Sequence, residues 1–152
     1  MTQRQLFLTY NAQTSEAPLC FEVSQANGVY LFDEAGKAHI DLIGGISVCN
    51  VGHGNRQVIE AIKMQVDHYL HVIVYGEVIQ SPQVQYAVAL ASRLPDKLQS
   101  IYFTNSGAEA VEGAMKLAKR ATQKSKIISF KKSYHGSTQG ALSVMGSEYW
   151  QQ

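Results

Sequence analysis

A chain of 152 residues is long enough for one ordinary domain and too short for two. Hydrophobic residues make up 45% and charged residues 16%, which excludes wholesale disorder. With 13 basic and 12 acidic residues the net charge is +1, so no global field argues for nucleic acid or an acidic surface as partner.

Residues 1–17 are polar with scattered apolar side chains and read as an arm or a short helix. Met1–Cys20 lacks the charged start and apolar core of a secretory signal. Phe21 and Val23 alternate with polar neighbours, and Gln25-Ala26-Asn27-Gly28 is a turn signal. Val29–Phe32 and Ala38–Ile43 follow as two further short runs, separated by Asp33-Glu34-Ala35-Gly36, so a small antiparallel meander of three strands is predicted. Gly44-Gly45 and Gly52-His53-Gly54-Asn55 bracket a flexible stretch. Val58, Ile59, Ile62, Val66, Tyr69 and Leu70 then recur at helical spacing, predicting a helix from Arg56 to His71. Apolar stretches are short, such as Leu70–Tyr75, which contains His71, whereas a membrane span needs about 20 apolar residues. Ser81-Pro82 reads as an N-cap followed by proline at the first helical position, and Pro95 ends that helix.

The second half reads as one supersecondary unit. Ser100–Thr104 is predicted as a strand, Ala108–Ala121 as a helix and Lys126–Phe130 as a second strand. Strand, helix and strand within about 30 residues make a βαβ unit, which implies parallel strands and a right-handed crossover. A further helix is expected from Ser137 or Thr138. Cys20 and Cys49 lie far apart with no Cys-x-x-Cys, which fits two reduced thiols in a cytoplasmic protein.

Two places could carry chemistry. Asn105-Ser106-Gly107-Ala108-Glu109 sits where a strand gives way to a helix. The first N–H groups of a helix lack internal partners and the helix dipole adds partial positive charge, so a phosphate is a natural occupant. Gly107 and Ala108 leave its approach open, and Ser106 adds a hydroxyl. The same residues, as Ser106-x-x-Glu109, form a capping box that only starts a helix, and by local pattern alone that is the simpler reading. The second place is Tyr134-His135-Gly136. Strand C-termini of a parallel sheet open on one crevice, so both segments aim at the same point. Tyr134 there suits a flat ligand with a phosphate arm; a lone aromatic is more usually a half-buried packing residue of a turn.

Other signatures are absent or weak. No Gly-x-x-x-x-Gly-Lys-Ser/Thr occurs, and Gly52-His53-Gly54 meets Gln57 where a dinucleotide fingerprint needs its third glycine. His68 and His71 could face one metal, but no third ligand has telling spacing, and no metal is assigned. Lys116, Lys119, Arg120, Lys124, Lys126, Lys131 and Lys132 fall in a stretch without acids. Few aromatics interleave with them, and those near the helix C-terminus suit the dipole, so they read as a solvated face rather than a nucleic-acid patch. A non-enzymatic phosphate-ligand or nucleic-acid-binding α/β module remains the alternative.

At these residues the sequence resembles a known family. Phe103-Thr104-Asn105-Ser106-Gly107-Ala108-Glu109-Ala110-Val111-Glu112, with Ala114-Met115-Lys116-Leu117-Ala118, is similar to class III aminotransferases. Tyr134-His135-Gly136-Ser137-Thr138 resembles that family's aromatic-His-Gly turn, and Asp41–His53 its N-terminal glycine-rich segment. The resemblance runs from about Phe21 to the end. It implies the aspartate-aminotransferase-like α/β fold, with residues 1–55 as arm and meander and 56–152 as the start of the large domain. It implies pyridoxal 5'-phosphate as cofactor, held by Ser106, Gly107, Ala108, Tyr134 and His135, with Tyr134 stacked on the ring. It implies an amino donor and a keto acid as substrates, and a homodimer with its active site at the subunit interface. It also implies that the Schiff-base lysine lies beyond this chain, which would be an N-terminal part inactive alone. Ser137 departs from the ornithine and acetylornithine branch, which carries an arginine there that can clamp a carboxylate.

Overall fold

Thr2 opens the first helix, α1 (Gln3–Tyr10), through a reciprocal box. Its hydroxyl accepts from the Gln5 N–H at 3.2 Å, and the Gln5 side chain accepts from the Thr2 N–H at 2.8 Å. Two donors that a helix start leaves unpaired are thereby satisfied. Arg4 ties α1 to the chain ahead of the sheet. Its Nη2 donates to the Cys20 carbonyl at 3.0 Å and its Nε lies 3.3 Å from Glu22 Oε1. The computed structural model describes residues 1–73, 76–147 and 149, and groups the chain into two units, Met1–Tyr75 and Gly76–Gln152. The end of the apolar stretch Leu70–Tyr75 and the terminus Trp150-Gln151-Gln152 lie outside the described residues.

The first unit contains the expected meander: β1 (Val23–Asn27), β2 (Tyr30–Asp33) and β3 (Ala38–Ile40), antiparallel in the order β1-β2-β3. Asn27 pairs with Tyr30 across a two-residue turn, so β1 runs through the residues read as a turn signal. Asp33 staples the second turn. Its Oδ1 accepts from the N–H of Ala35 at 3.0 Å and of Lys37 at 2.9 Å, and its Oδ2 lies 2.9 Å from His39 Nε2. Phe21 meets the His39 ring edge-on, centroids 5.0 Å apart. A hollow of about 700 Å³ lies between α1 and β1, lined by Phe7, Leu19, Phe21 and Leu31 among others.

The glycine-rich stretch joins the same unit. Gly28 and His53 exchange two backbone hydrogen bonds of 2.8 Å, laying residues 52–54 against the β1–β2 turn. Between them, α2 (Gly44–Ser47) is a single tight turn in which Gly44, Gly45, Ile46 and Ser47 all have φ between 53° and 65°. A β-branched residue such as Ile46 rarely adopts that left-handed region. Asn55 caps α3 (Arg56–His68), its side chain accepting from the Val58 N–H at 3.2 Å. The helix ends three residues before His71 because Tyr69 turns to extended backbone, φ −170° and ψ 152°.

In the second unit α4 (Ser81–Ala91) is capped by Gln80 without a side-chain hydrogen bond, so Ser81 is the first helical residue rather than the cap. Pro82 then falls in the first turn, where its missing N–H costs no helical bond. Tyr86 stacks on Phe103 at 5.5 Å and 23°. Residues 100–104 and 126–130, expected as parallel strands, carry no ladder in the structure; of the βαβ unit the helix α5 (Gly107–Thr122) forms. A strand is stabilised by the neighbours it pairs with, and a parallel pair needs both faces covered. Tyr102, Ile128 and Phe130 are instead 86%, 96% and 88% exposed, so β-favouring composition alone did not make strands. Helix α5 ends one residue before Gln123, whose left-handed backbone (φ 57°) closes it. The short α6 (Gln139–Ser143) packs against α5, and Ala141 and Met145 are the buried apolar side chains of the described residues.

Candidate functional site

Ser106, itself extended at φ −152° and ψ 160°, is the N-cap from which α5 starts. Its Oγ accepts from the Glu109 N–H at 3.2 Å, while Glu109 Oε2 accepts from the Asn105 N–H at 2.8 Å. The capping reading of Ser106 and Glu109 therefore holds, with the acid reaching one residue further back than in the usual box. The cap serves the third N–H of the helix and leaves the two before it, on Gly107 and Ala108, without intrahelical partners. A Cβ built on Gly107 would meet nothing within 4 Å, so open space faces this turn.

The loop after residue 130 comes to the same place. Ser106, Gly107, Ala108 and Val111 line one concavity of about 440 Å³ together with residues 134–137. Two contacts fix the loop there. Gly136 has φ +122° and is buried; a Cβ on it would stand 2.5 Å from the Ala108 Cβ and 2.8 Å from the Ala108 Cα. Only glycine allows that approach. The second contact is Glu112, one turn after Ala108 on the same face of α5. Its Oε1 accepts from Thr138 Oγ1 at 2.7 Å, the Gly140 N–H at 2.9 Å and the Ala141 N–H at 3.3 Å. Those are first-turn groups of α6, so a carboxylate from one helix caps another. Thr138, the N-cap by position, makes no cap bond of its own because its hydroxyl donates to Glu112. The hydroxyl hydrogen bond from Thr138 leads in holding the Glu112 carboxyl below its ordinary range; the Gly140 and Ala141 amides and Lys116 add to it against partial burial.

All five residues expected at the site thus meet in one concavity. The Tyr134 ring is 71% exposed and its hydroxyl lies 3.1 Å from Ser137 Oγ; His135 is half-buried in the same turn. Glu112 and the α6 cap were not among the expected residues. Their signal was Thr138-Gln139-Gly140-Ala141, a helix start with no acid of its own in the first turn, which leaves its N–H groups to a distant acceptor.

A further cluster, also unanticipated, lies in the first unit. Asp41 Oδ1 accepts from the N–H of Ile43 at 3.0 Å and Gly44 at 2.9 Å, and Oδ2 lies 2.7 Å from His53 Nε2. Asp41 therefore ties the start of the left-handed turn to His53. The contact with His53 leads in lowering its carboxyl below the ordinary range, helped by the Gly44 and Ile43 amides. His68 ends α3 and His71 lies beyond it; among the described residues no three His, Cys, Asp or Glu side chains gather as metal ligands. Cys20 and Cys49 are half-buried free thiols. No helix of the described residues is long and apolar enough to cross a membrane.

Chemically, a concavity with two open N–H groups at a helix N-terminus and an exposed aromatic face beside them can take a planar group carrying a phosphate.

Comparison with known proteins agrees with that chemistry. The model of the family "Aminotransferase class-III" matches residues 10–152. The chain is 43% identical over 128 residues to an acetylornithine aminotransferase of Bacillus amyloliquefaciens, covering 84% of this chain and 54% of that one. It is also 43% identical to the acetylornithine aminotransferase of Bacillus subtilis, covering 84% of this chain and 32% of the relative. Among solved structures it superposes on taurine:2-oxoglutarate aminotransferase from Bifidobacterium kashiwanohense, solved with PLP and glutamate, at a TM-score of 0.87 and 30% identity. That match covers 95% of this chain and 33% of the other. The chain spans between a third and about half the length of these relatives. Its architecture is the N-terminal portion of their α/β fold, a small antiparallel sheet followed by helices, and the chain belongs to the class III aminotransferase family.

Proposed function

We propose that this chain is the N-terminal part of a pyridoxal 5'-phosphate-dependent aminotransferase subunit, which moves an amino group from an amine or amino acid to a keto acid. One observation carries the reading: in a chain of this family, the open first turn of α5 and the Tyr134 loop share one concavity. Gly107 and Ala108 would donate their N–H groups to the cofactor phosphate, with the Ser106 hydroxyl beside them and the helix dipole adding to the attraction. The exposed face of Tyr134 would lie against the pyridine ring, with His135 shaping the turn that presents it. The bound cofactor supplies the electron sink; these residues supply its position and part of its charge balance.

The lysine that bonds to the cofactor and moves the proton belongs, in this reading, outside these 152 residues. The share of the relatives' length that the chain covers supports this. Relatives named acetylornithine aminotransferase make an amino acid donor the first class to test. Ser137, hydrogen-bonded to Tyr134, stands where an arginine would clamp a second carboxylate, which favours donors that do not need that clamp. The working protein is read as a cytoplasmic homodimer with the active site at its interface.

The test is to purify the full-length protein with pyridoxal 5'-phosphate, record its visible absorption and assay a panel of amino donors against keto acids. A bound-cofactor band and donor-dependent keto-acid formation are expected. Neither band nor transfer would overturn the reading.

A further inference from the structure

We infer that Glu112 is the positioning residue of the Tyr134 loop: by capping α6 from α5, it fixes where Tyr134 stands relative to the first turn of α5. The inference rests on the cofactor reading above and adds to it a residue that does not face the proposed ligand.

The geometry is asymmetric. Residues 133–138 are anchored at their middle by Gly136 against Ala108, and at their end by Glu112 on Thr138, Gly140 and Ala141. Gly136 alone is a steric contact, which sets a minimum distance but not a direction. Glu112 adds three directional bonds on one oxygen. Gly140 confirms how close the approach is, since a Cβ there would collide with the Glu112 carboxylate. Ala108 and Glu112 lie on one face of α5, so the loop is gripped at two points one helical turn apart. Two points fix the loop's angle, and the angle decides where the ring two residues before Gly136 lies. Helix α6 has five residues, too few to persist without a cap, so its start carries no independent order. A third contact, the Gly146 N–H donating to the Ser133 carbonyl at 3.3 Å, comes from the segment that follows α6 and moves with it, so without Glu112 the loop would keep only the Gly136 contact and lose its angle.

The experiment uses the full-length protein and measures pyridoxal 5'-phosphate affinity and the visible spectrum of the bound cofactor, with the thermal midpoint alongside. Glu112→Ala should weaken affinity by up to about fivefold, the scale of one lost ring contact, and shift the spectrum. Glu112→Gln keeps the accepting oxygen and should stay within about threefold of the parent. In a Tyr134→Ala background, Glu112→Ala should add less than about twofold, because a residue acting through the ring has nothing left to position. Should Glu112→Ala fail to fold, Thr138→Val removes one of the three donors and should give a smaller loss of the same kind. An unchanged affinity and spectrum for Glu112→Ala, with Tyr134→Ala weakened, overturns the inference and leaves the cofactor reading standing. Full additivity of the two substitutions also overturns it. A parent protein that does not bind the cofactor defeats the cofactor reading instead, and this inference with it.

Discussion

Gly107 is a clean position to probe, because a Cβ there meets nothing within 4 Å beyond its own chain neighbours and helix backbone. In the full-length protein, Gly107→Val should leave the folding stability within about 1 kcal/mol of the parent, the ordinary cost of β-branching in a first helical turn. It should nonetheless weaken pyridoxal 5'-phosphate binding by about tenfold or more, through crowding of charge-assisted N–H bonds. Equal affinity at equal stability would remove the α5 N-terminus from the site. Tyr134 separates ring from hydroxyl. Tyr134→Ala should cost on the order of 1 kcal/mol of cofactor binding. Tyr134→Phe keeps the face and loses only the exposed contact to Ser137 Oγ, so binding should change by less than about 0.5 kcal/mol. A Phe variant as weak as the Ala variant would assign the contribution to the hydroxyl.

Among the elements, those whose signals are local were legible in the sequence. The meander, α3, α4 and α5 form near their expected bounds because turn residues, caps and apolar spacing act within a few residues. Ser106, Gly107, Ala108, Tyr134 and His135 were legible through motif spacing, and the structure puts them in one concavity. The ladder expected over 100–104 and 126–130 is different in kind: composition there favours β, but a strand needs partners, which no local pattern encodes. The Glu112 cap and the Asp41–His53 contact were hidden for a related reason, as their partners stand 26 to 29 and 12 residues away. Asp41 gives a pH test at this scale. Its carboxyl is held below the ordinary range, so the stabilising contribution is present above the unfolded value near 4 and is lost as pH falls through the lower folded value. Asp41→Asn should therefore destabilise the protein near neutral pH and converge with the parent in acid. A stability gap between the two that stays constant down to about pH 2 would deny Asp41 that role.

Among the described residues, apolar side chains are mostly open to solvent. Ala141 and Met145 are buried, while Leu42, Ile79, Ile128 and Phe130 are each more than 85% exposed. Surfaces of that kind mark places where other protein packs, or where chains associate. Residues 1–152 expressed alone should be poorly soluble, bind a hydrophobic dye and melt without a sharp transition, and should not convert an amino acid to its keto acid. A soluble monomer with a cooperative transition would contradict this.

One carboxylate oxygen on three donors has a kinetic consequence too. The amides of Gly140 and Ala141 have a common acceptor, Glu112 Oε1, so neither can open to solvent by fraying of α6 alone. Their hydrogens should show the same protection relative to their intrinsic exchange rates, set by the parting of α6 from α5 rather than by unwinding from the helix end. In that respect the five residues of α6 behave as an outlying piece of α5, and an exchange measurement would count the two helices as one cooperative unit.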